Sequence, residues 1–163
     1  MSVADCARLV EAGDPVRFAA TMAATAALRP RLWPLYAANL EIARAPWAAR
    51  EPVLAEMRLQ WWIDTLRDLG EGRTRPGHPV TGALAPLLAR DPGLGGLLVA
   101  LAAARRWDCR AEPFAGADAF DAYLDATSGN LMWAAARILG APAAAEPVVR
   151  DFARGDGLAR WLI

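Results

Sequence analysis

Apolar positions recur at three- and four-residue intervals along most of the chain, and proline, glycine and capping residues cut that pattern into segments. Asp14-Pro15, an N-cap followed by proline at the first helical position, opens a segment reaching about Leu28. Pro30 opens the next, through Ala43, and Pro46 closes that neighbourhood. Glu51-Pro52 starts a third helix that stops at Gly70. Residues 70–79, rich in Gly, Pro, Arg and Thr, predict a loop. Shorter helices are predicted over residues 79–89 and 94–107, divided by Asp91-Pro92-Gly93, with Gly95-Gly96 read as helix entry. Asp118 caps a long helix to Leu139, with Gly140 as its C′ glycine, and Pro147 begins a last segment. No strand-like alternation and no internal repeat breaks this reading, which predicts an all-α, single-domain chain over residues 1–163.

The third helix carries the clearest pattern. Leu59, Trp62, Ile63, Leu66 and Leu69 form one apolar stripe, so Trp62 is predicted to be buried. Glu56, Gln60, Asp64 and Asp68 stack four residues apart on another face, either solvated or forming the polar wall of a pocket. Trp61 lies between the two faces and could stack over a ligand or pack in the core.

Composition narrows the function classes. Hydrophobic residues make up 55 % of the 163, much of it alanine, which favours helix. Eighteen cationic side chains, all arginine, balance eighteen acidic ones. With no basic stripe to meet phosphate charge, nucleic acid is not an expected partner. Cys6 and Cys109 are isolated, without CxxC spacing, which predicts neither disulfide framework nor zinc site and fits a reducing, cytoplasmic setting. The start lacks the features of a signal peptide. The longest apolar run, residues 97–104, is far below the ~20 residues of a membrane span, so at most peripheral membrane association is expected. His78, the one histidine, sits beside Pro79 with no nucleophile around it, which suits a turn or cap.

Two DxxxD spacings, Asp64/Asp68 and Asp121/Asp125, put carboxylates one helical turn apart. Facing pairs of this kind can hold Mg²⁺, which prefers oxygen ligands in octahedral geometry. Such pairs are also frequent on solvated helices, and Arg67 inside the first can neutralise it.

Several blocks, in order, resemble the squalene/phytoene synthase family, the all-α enzymes that join two prenyl diphosphates head to head. Residues 29–36, ending Leu35-Tyr36, are similar to the arginine-then-LYAF entry helix, and Trp61-Trp62-Ile63-Asp64-Thr65-Leu66 to the WWxDxL segment. His78-Pro79-Val80 matches the HPV that trails it, Tyr123 to Met132 resembles the Y-x-x-x-T-A-G block, and Gly157-Leu158-Ala159 the GLA before the second acidic motif. The resemblance implies a helical bundle of the isoprenoid synthase type, expected here to be C-terminally incomplete. In catalytic members Mg²⁺ neutralises the departing diphosphate. Aligned from Tyr36, the aspartates of the first motif fall on Ala43, Arg44 and Trp47, and the second motif would begin about where Ile163 stands. Both metal clusters are therefore expected to be missing, with no catalytic and no metal-binding residue.

The Asn39-Leu40-Glu41-Ile42-Ala43 variant is similar to the family's non-catalytic branch, which includes a complex I assembly factor. The resemblance thus implies a protein that binds a prenyl-type lipid or a protein partner, without cofactor. Tyr36, Asn39, Gln60, Trp61, Asp64 and Thr127 are the expected ligand-contacting residues, around one elongated cavity. Thr127-Ser128-Gly129 would permit close helix packing or the passage of a prenyl tail. The alternative is a prenyltransferase, seen as a fragment or using Mg²⁺ on Asp64/Asp68 and Asp121/Asp125. A purely structural helical protein is a third class. Missing C-terminal helices would leave apolar surface exposed and favour self-association.

Overall fold

The computed structural model describes residues 1–73, 77–110 and 112–162, and among these there is no β-strand. The helices are α1 (Val3–Gly13), α2 (Pro15–Met22), α3 (Arg29–Arg44), α4 (Pro52–Gly70), α5 (Pro79–Arg90), α6 (Gly93–Ala104), α7 (Ala117–Leu124), α8 (Asn130–Ile138) and α9 (Glu146–Leu162). A 3₁₀ turn, Ala45–Trp47, joins α3 towards α4, and another, Arg105–Cys109, extends α6. Between α7 and α8 the chain makes one π turn, Asp125–Gly129, without leaving the helical path.

The apolar stripe of α4 goes where its spacing says. Leu59, Trp62, Ile63, Leu66 and Leu69 are all buried, joined by Leu35 and Ile42 of α3, Leu84 and Leu88 of α5, and Leu98 and Leu101 of α6. Each such side chain withdrawn from water contributes about 1.5–3 kcal/mol before conformational entropy is set against it. α1 lies on α3 through Cys6 and Val10, both fully buried, and that burial pushes the Cys6 thiol up from its ordinary pKa.

α4 and α6 cross at glycine. A Cβ on Gly95 would stand 3.3 Å from the Cα of Gly70 and 3.6 Å from the carbonyl of Leu66. Gly95 is thus interior to α6, not part of a helix-entry loop, and its bare face is what lets the two backbones approach. A second close contact seats α9 on the π turn. A Cβ on Gly157 would meet Ser128 Oγ at 2.5 Å. Thr127-Ser128-Gly129 therefore serves close packing.

The helix ends depart from the sequence reading in instructive places. α1 is absent from it, although Ser2 and Asp5 form a reciprocal capping box: Ser2 Oγ accepts from the Asp5 N–H, and Asp5 Oδ2 accepts from the Ser2 N–H at 2.7 Å. α2 stops at Met22, six residues early, where Arg29 reaches back to donate to the carbonyls of Ala24 and Met22. The helix expected over residues 94–107 tightens to 3₁₀ geometry from Arg105. Asp118 is not the cap of α7; Gly116 holds that place, and Asp118 sits in the first turn, complementing the helix dipole. His78 does cap α5, its Nδ1 accepting from the Val80 N–H at 3.3 Å. Of the expected loop, residues 74–76 lie outside the described residues.

The two adjacent tryptophans separate by environment. Trp62 is 4 % exposed, whereas Trp61 is half-buried at the core's edge. Trp62→Ala is expected to destabilise the fold by about 3–5 kcal/mol, a large part of the ~5–15 kcal/mol a domain has. Trp61→Ala should cost roughly 1–2 kcal/mol, because less apolar area leaves water there. Urea melts of the two variants measure both; equal destabilisation would contradict the assignment.

Candidate functional site

A cavity of about 260 Å³ lies where α3, α9 and the π turn converge, with α2 and the 3₁₀ segment after α6 closing its sides. Asn39, Leu40 and Ala43 reach it from α3, because positions 39, 40 and 43 share one helical face. Tyr123, Leu124, Thr127, Ser128 and Leu131 line the opposite wall, and Gly157, Arg160 and Trp161 come from α9. The wall mixes apolar side chains with neutral polar ones and three cations: Arg17, Arg105 and Arg160 all line it, against the carboxylate of Asp14.

Each of these arginines is tied to an acid. Arg17, whose side chain is 16 % exposed, pairs with Asp14. Arg160 lies 3.6 Å from the same Asp14 and 2.8 Å from Asp156. Arg105 pairs with Asp108 at 3.1 Å and donates to the Tyr123 hydroxyl at 2.9 Å, while that hydroxyl donates to Asp108 at 2.7 Å. Burial pushes the Tyr123 phenol well above its ordinary pKa; Arg105 opposes the shift, and the hydrogen bond to Asp108 adds to it. Burial likewise lowers the pKa of Arg17, with Asp14 acting against it. The Nε–H of Arg105 is buried without a hydrogen-bond partner among the described residues. An unmade buried hydrogen bond costs about 1–3 kcal/mol.

Aromatic rings close one end. Trp107 stacks on Phe114 at 3.8 Å between centroids, and Phe120, Tyr123 and Trp161 pack around that pair. Tyr123 and Trp161 belong both to this cluster and to the cavity wall.

The structure divides the six residues expected around one cavity. Asn39 and Thr127 line it. Thr127 Oγ1 donates to the Tyr123 carbonyl at 2.7 Å, leaving its lone pairs for a ligand. Tyr36 stands one layer back: Arg17 lies over its ring at 5.5 Å, and burial raises its phenol pKa. Gln60 and Asp64 are elsewhere. Gln60 donates to Asp64 at 2.8 Å and accepts from Arg106, while Arg110 holds Glu56 at 3.1 Å. The first half of the polar stripe, Glu56 and Gln60, is thus a seam along which residues 105–110 lie, while Asp64 and Asp68 farther along pair with Arg67 and Arg73 near the surface. Trp61 faces another way again, into a cleft of about 180 Å³ with Glu41, Arg44, Arg58 and His78. The six expected residues therefore do not share one cavity: Asn39 and Thr127 line it, while Trp61 lines a second cleft and Gln60 and Asp64 bond to each other on α4.

The remaining acidic candidates also stay off the cavity. Asp64 pairs with Arg67 at 3.4 Å and Asp68 with Arg73 at 2.6 Å. Asp125 lies 3.3 Å from Arg150, and Asp121 is exposed. Among residues 43, 44 and 47, Ala43 faces the cavity, Arg44 turns to the Trp61 cleft and pairs with Glu41 at 3.6 Å, and Trp47 points outward, 77 % exposed. Arg17, Arg105 and the aromatic cluster escaped the sequence reading because they come from distant segments. Arg160 had a faint signal, the i, i+4 pair with Asp156 beside the GLA block.

The α9 wall depends on Gly157. Gly157→Val should force the helix off Ser128, destabilising the protein by about 1–3 kcal/mol as overpacking does. Ser128→Gly in the same chain should return part of that loss, read in a double-mutant cycle of urea melts. Strict additivity would refute the contact.

Residues 10–161 match the family model described as squalene/phytoene synthase. No curated protein and no solved structure matches the chain. The family match runs from Val10 on α1 to Trp161 on α9, across every helix that contributes to the cavity, and the chain belongs to the squalene/phytoene synthase family.

Proposed function

We propose that this chain is a non-catalytic member of the family that binds a prenyl-type lipid in the arginine-walled cavity. The observation that carries the reading is the donor set of that cavity. A Mg²⁺–diphosphate site needs several oxygen ligands. The described wall presents one carboxylate, Asp14, already engaged by Arg17 and Arg160, and an alanine, Ala43, at the place the resemblance gives to the first aspartate. These residues do not fit a Mg²⁺ cluster. They suit a ligand with an apolar body against Leu40, Leu124 and Leu131 and an oxygen-bearing head among the guanidinium groups of Arg17, Arg105 and Arg160.

A second reading, a protein partner of the assembly-factor kind, draws on α9. Val148, Phe152, Leu158 and Leu162 form an exposed apolar stripe there. Such a stripe suits a partner helix or a second copy of the chain.

Calorimetry with farnesyl and geranylgeranyl diphosphate, with Mg²⁺ and with chelator, tests the main proposal. Any binding is expected to be the same in both conditions and to be lost in Ala43→Trp, which fills the cavity from its α3 side. Micromolar binding that disappears on chelation would refute it.

A further inference from the structure

Large apolar side chains gather at the corner between α3 and α4. Trp47 is 77 % exposed, Val53 65 %, Met57 64 % and Leu54 45 %, all between positions 47 and 57. Val53, Leu54 and Met57 occupy the first turns of α4, and the 3₁₀ turn bearing Trp47 packs against that helix. The same corner is cationic. Arg44 and Arg58 line the cleft beside Ala48 and Trp61, and Arg50 is exposed between the turn and α4. Arg50 and Arg58 make no ion pair among the described residues. Against these three cations stand Glu41, held by Arg44 and His78, and Glu51; Glu56 is turned away to Arg110. The amino end of α4 adds partial positive charge, since its first N–H groups lack helical partners.

We infer that this corner docks on an anionic lipid surface. An exposed tryptophan beside aliphatic side chains suits the boundary between headgroups and acyl chains. Arginines at its rim can lay their apolar stems along that boundary and keep their guanidinium groups among the phosphates. Each is worth about a fivefold gain in partition near an anionic leaflet, falling as salt screens the surface. The stripe on α9 lacks this charge pattern: Arg154 is paired with Asp151, and Arg160 with Asp156. Docking at the α3–α4 corner would bring Ala43, and with it the cavity, within one helical turn of Trp47. The inference does not depend on what the cavity binds.

Flotation of the full chain with phosphatidylcholine vesicles, with and without phosphatidylglycerol, tests it. Partition onto the anionic vesicles should exceed that onto neutral ones by about tenfold or more and fall with added salt. Arg50→Gln with Arg58→Gln should lower it by about tenfold to thirtyfold. Trp47→Ser with Met57→Ser should lower it comparably. These positions are exposed, so circular dichroism melts should stay unchanged, and Val148→Ser with Phe152→Ser on α9 should leave partition intact. No flotation of the unaltered chain at low salt would overturn the inference. So would flotation that the α9 pair abolishes and the corner pairs do not, or corner variants that alter only self-association in gel filtration.

Discussion

The approach of α4 to α6 at Gly70 and Gly95 sets the geometry on which the cavity depends. With no side chain at either glycine, the backbones come close, and Leu66 of α4 and Leu98 and Leu101 of α6 are fully buried. That crossing fixes where α6 ends. The chain then tightens into the 3₁₀ segment and runs along the polar stripe of α4, fastened by Arg106 to Gln60 and Arg110 to Glu56. Held there, Arg105 meets Tyr123 and Trp107 meets Phe114, and these contacts form one wall of the cavity. An alanine at Gly95 would act on the site without touching it.

The opposite wall rests on a different device. The π turn inserts one extra residue into what would otherwise be a single long helix, and single π turns are common at functional sites. Here it turns Thr127 towards the cavity and offers Ser128 to Gly157, so that one local irregularity both shapes the wall and seats α9. The cost of the irregular backbone is offset by Thr127, whose hydroxyl bonds the Tyr123 carbonyl, and by Arg150, which joins Asp125 and Asn130 across the turn.

The electrostatics of the cavity follow from arginine chemistry. A guanidinium keeps its charge even when burial lowers its pKa, so a cavity walled by arginine must carry compensating carboxylates. Asp14, Asp108 and Asp156 supply them, each from a different segment. Cation and acid are thus already matched at three places around the wall. The exposed corner at α3–α4 is the reverse case, where among the described residues Arg50 and Arg58 make no ion pair beside apolar side chains that the core does not claim.

The sequence by itself determined what depends on near neighbours. The stripe of α4, the proline-opened starts of α3, α4 and α5, the glycine stop after the long helix and the burial of Trp62 all follow from spacing within one helix, because helical periodicity alone decides which side chains share a face. The family blocks were legible for the same reason: Trp61-Trp62, His78-Pro79-Val80 and Gly157-Leu158-Ala159 are local strings. Even α1, passed over, had a local signal in the Ser2–Asp5 capping box. Which faces meet was decided only by the tertiary structure. Gln60 belongs to a seam, Asp64 to a surface pair with Arg67, Trp61 to a second cleft, and Asn39 and Thr127 to the cavity, although all looked alike as polar or aromatic positions on apolar helices. Arg17, Arg105 and Arg160 lie in three segments far apart in the chain, and no periodicity links them. Their meeting is a product of helix crossing angles and glycine contacts, which are set by the packing of the whole core rather than by any one stretch of sequence.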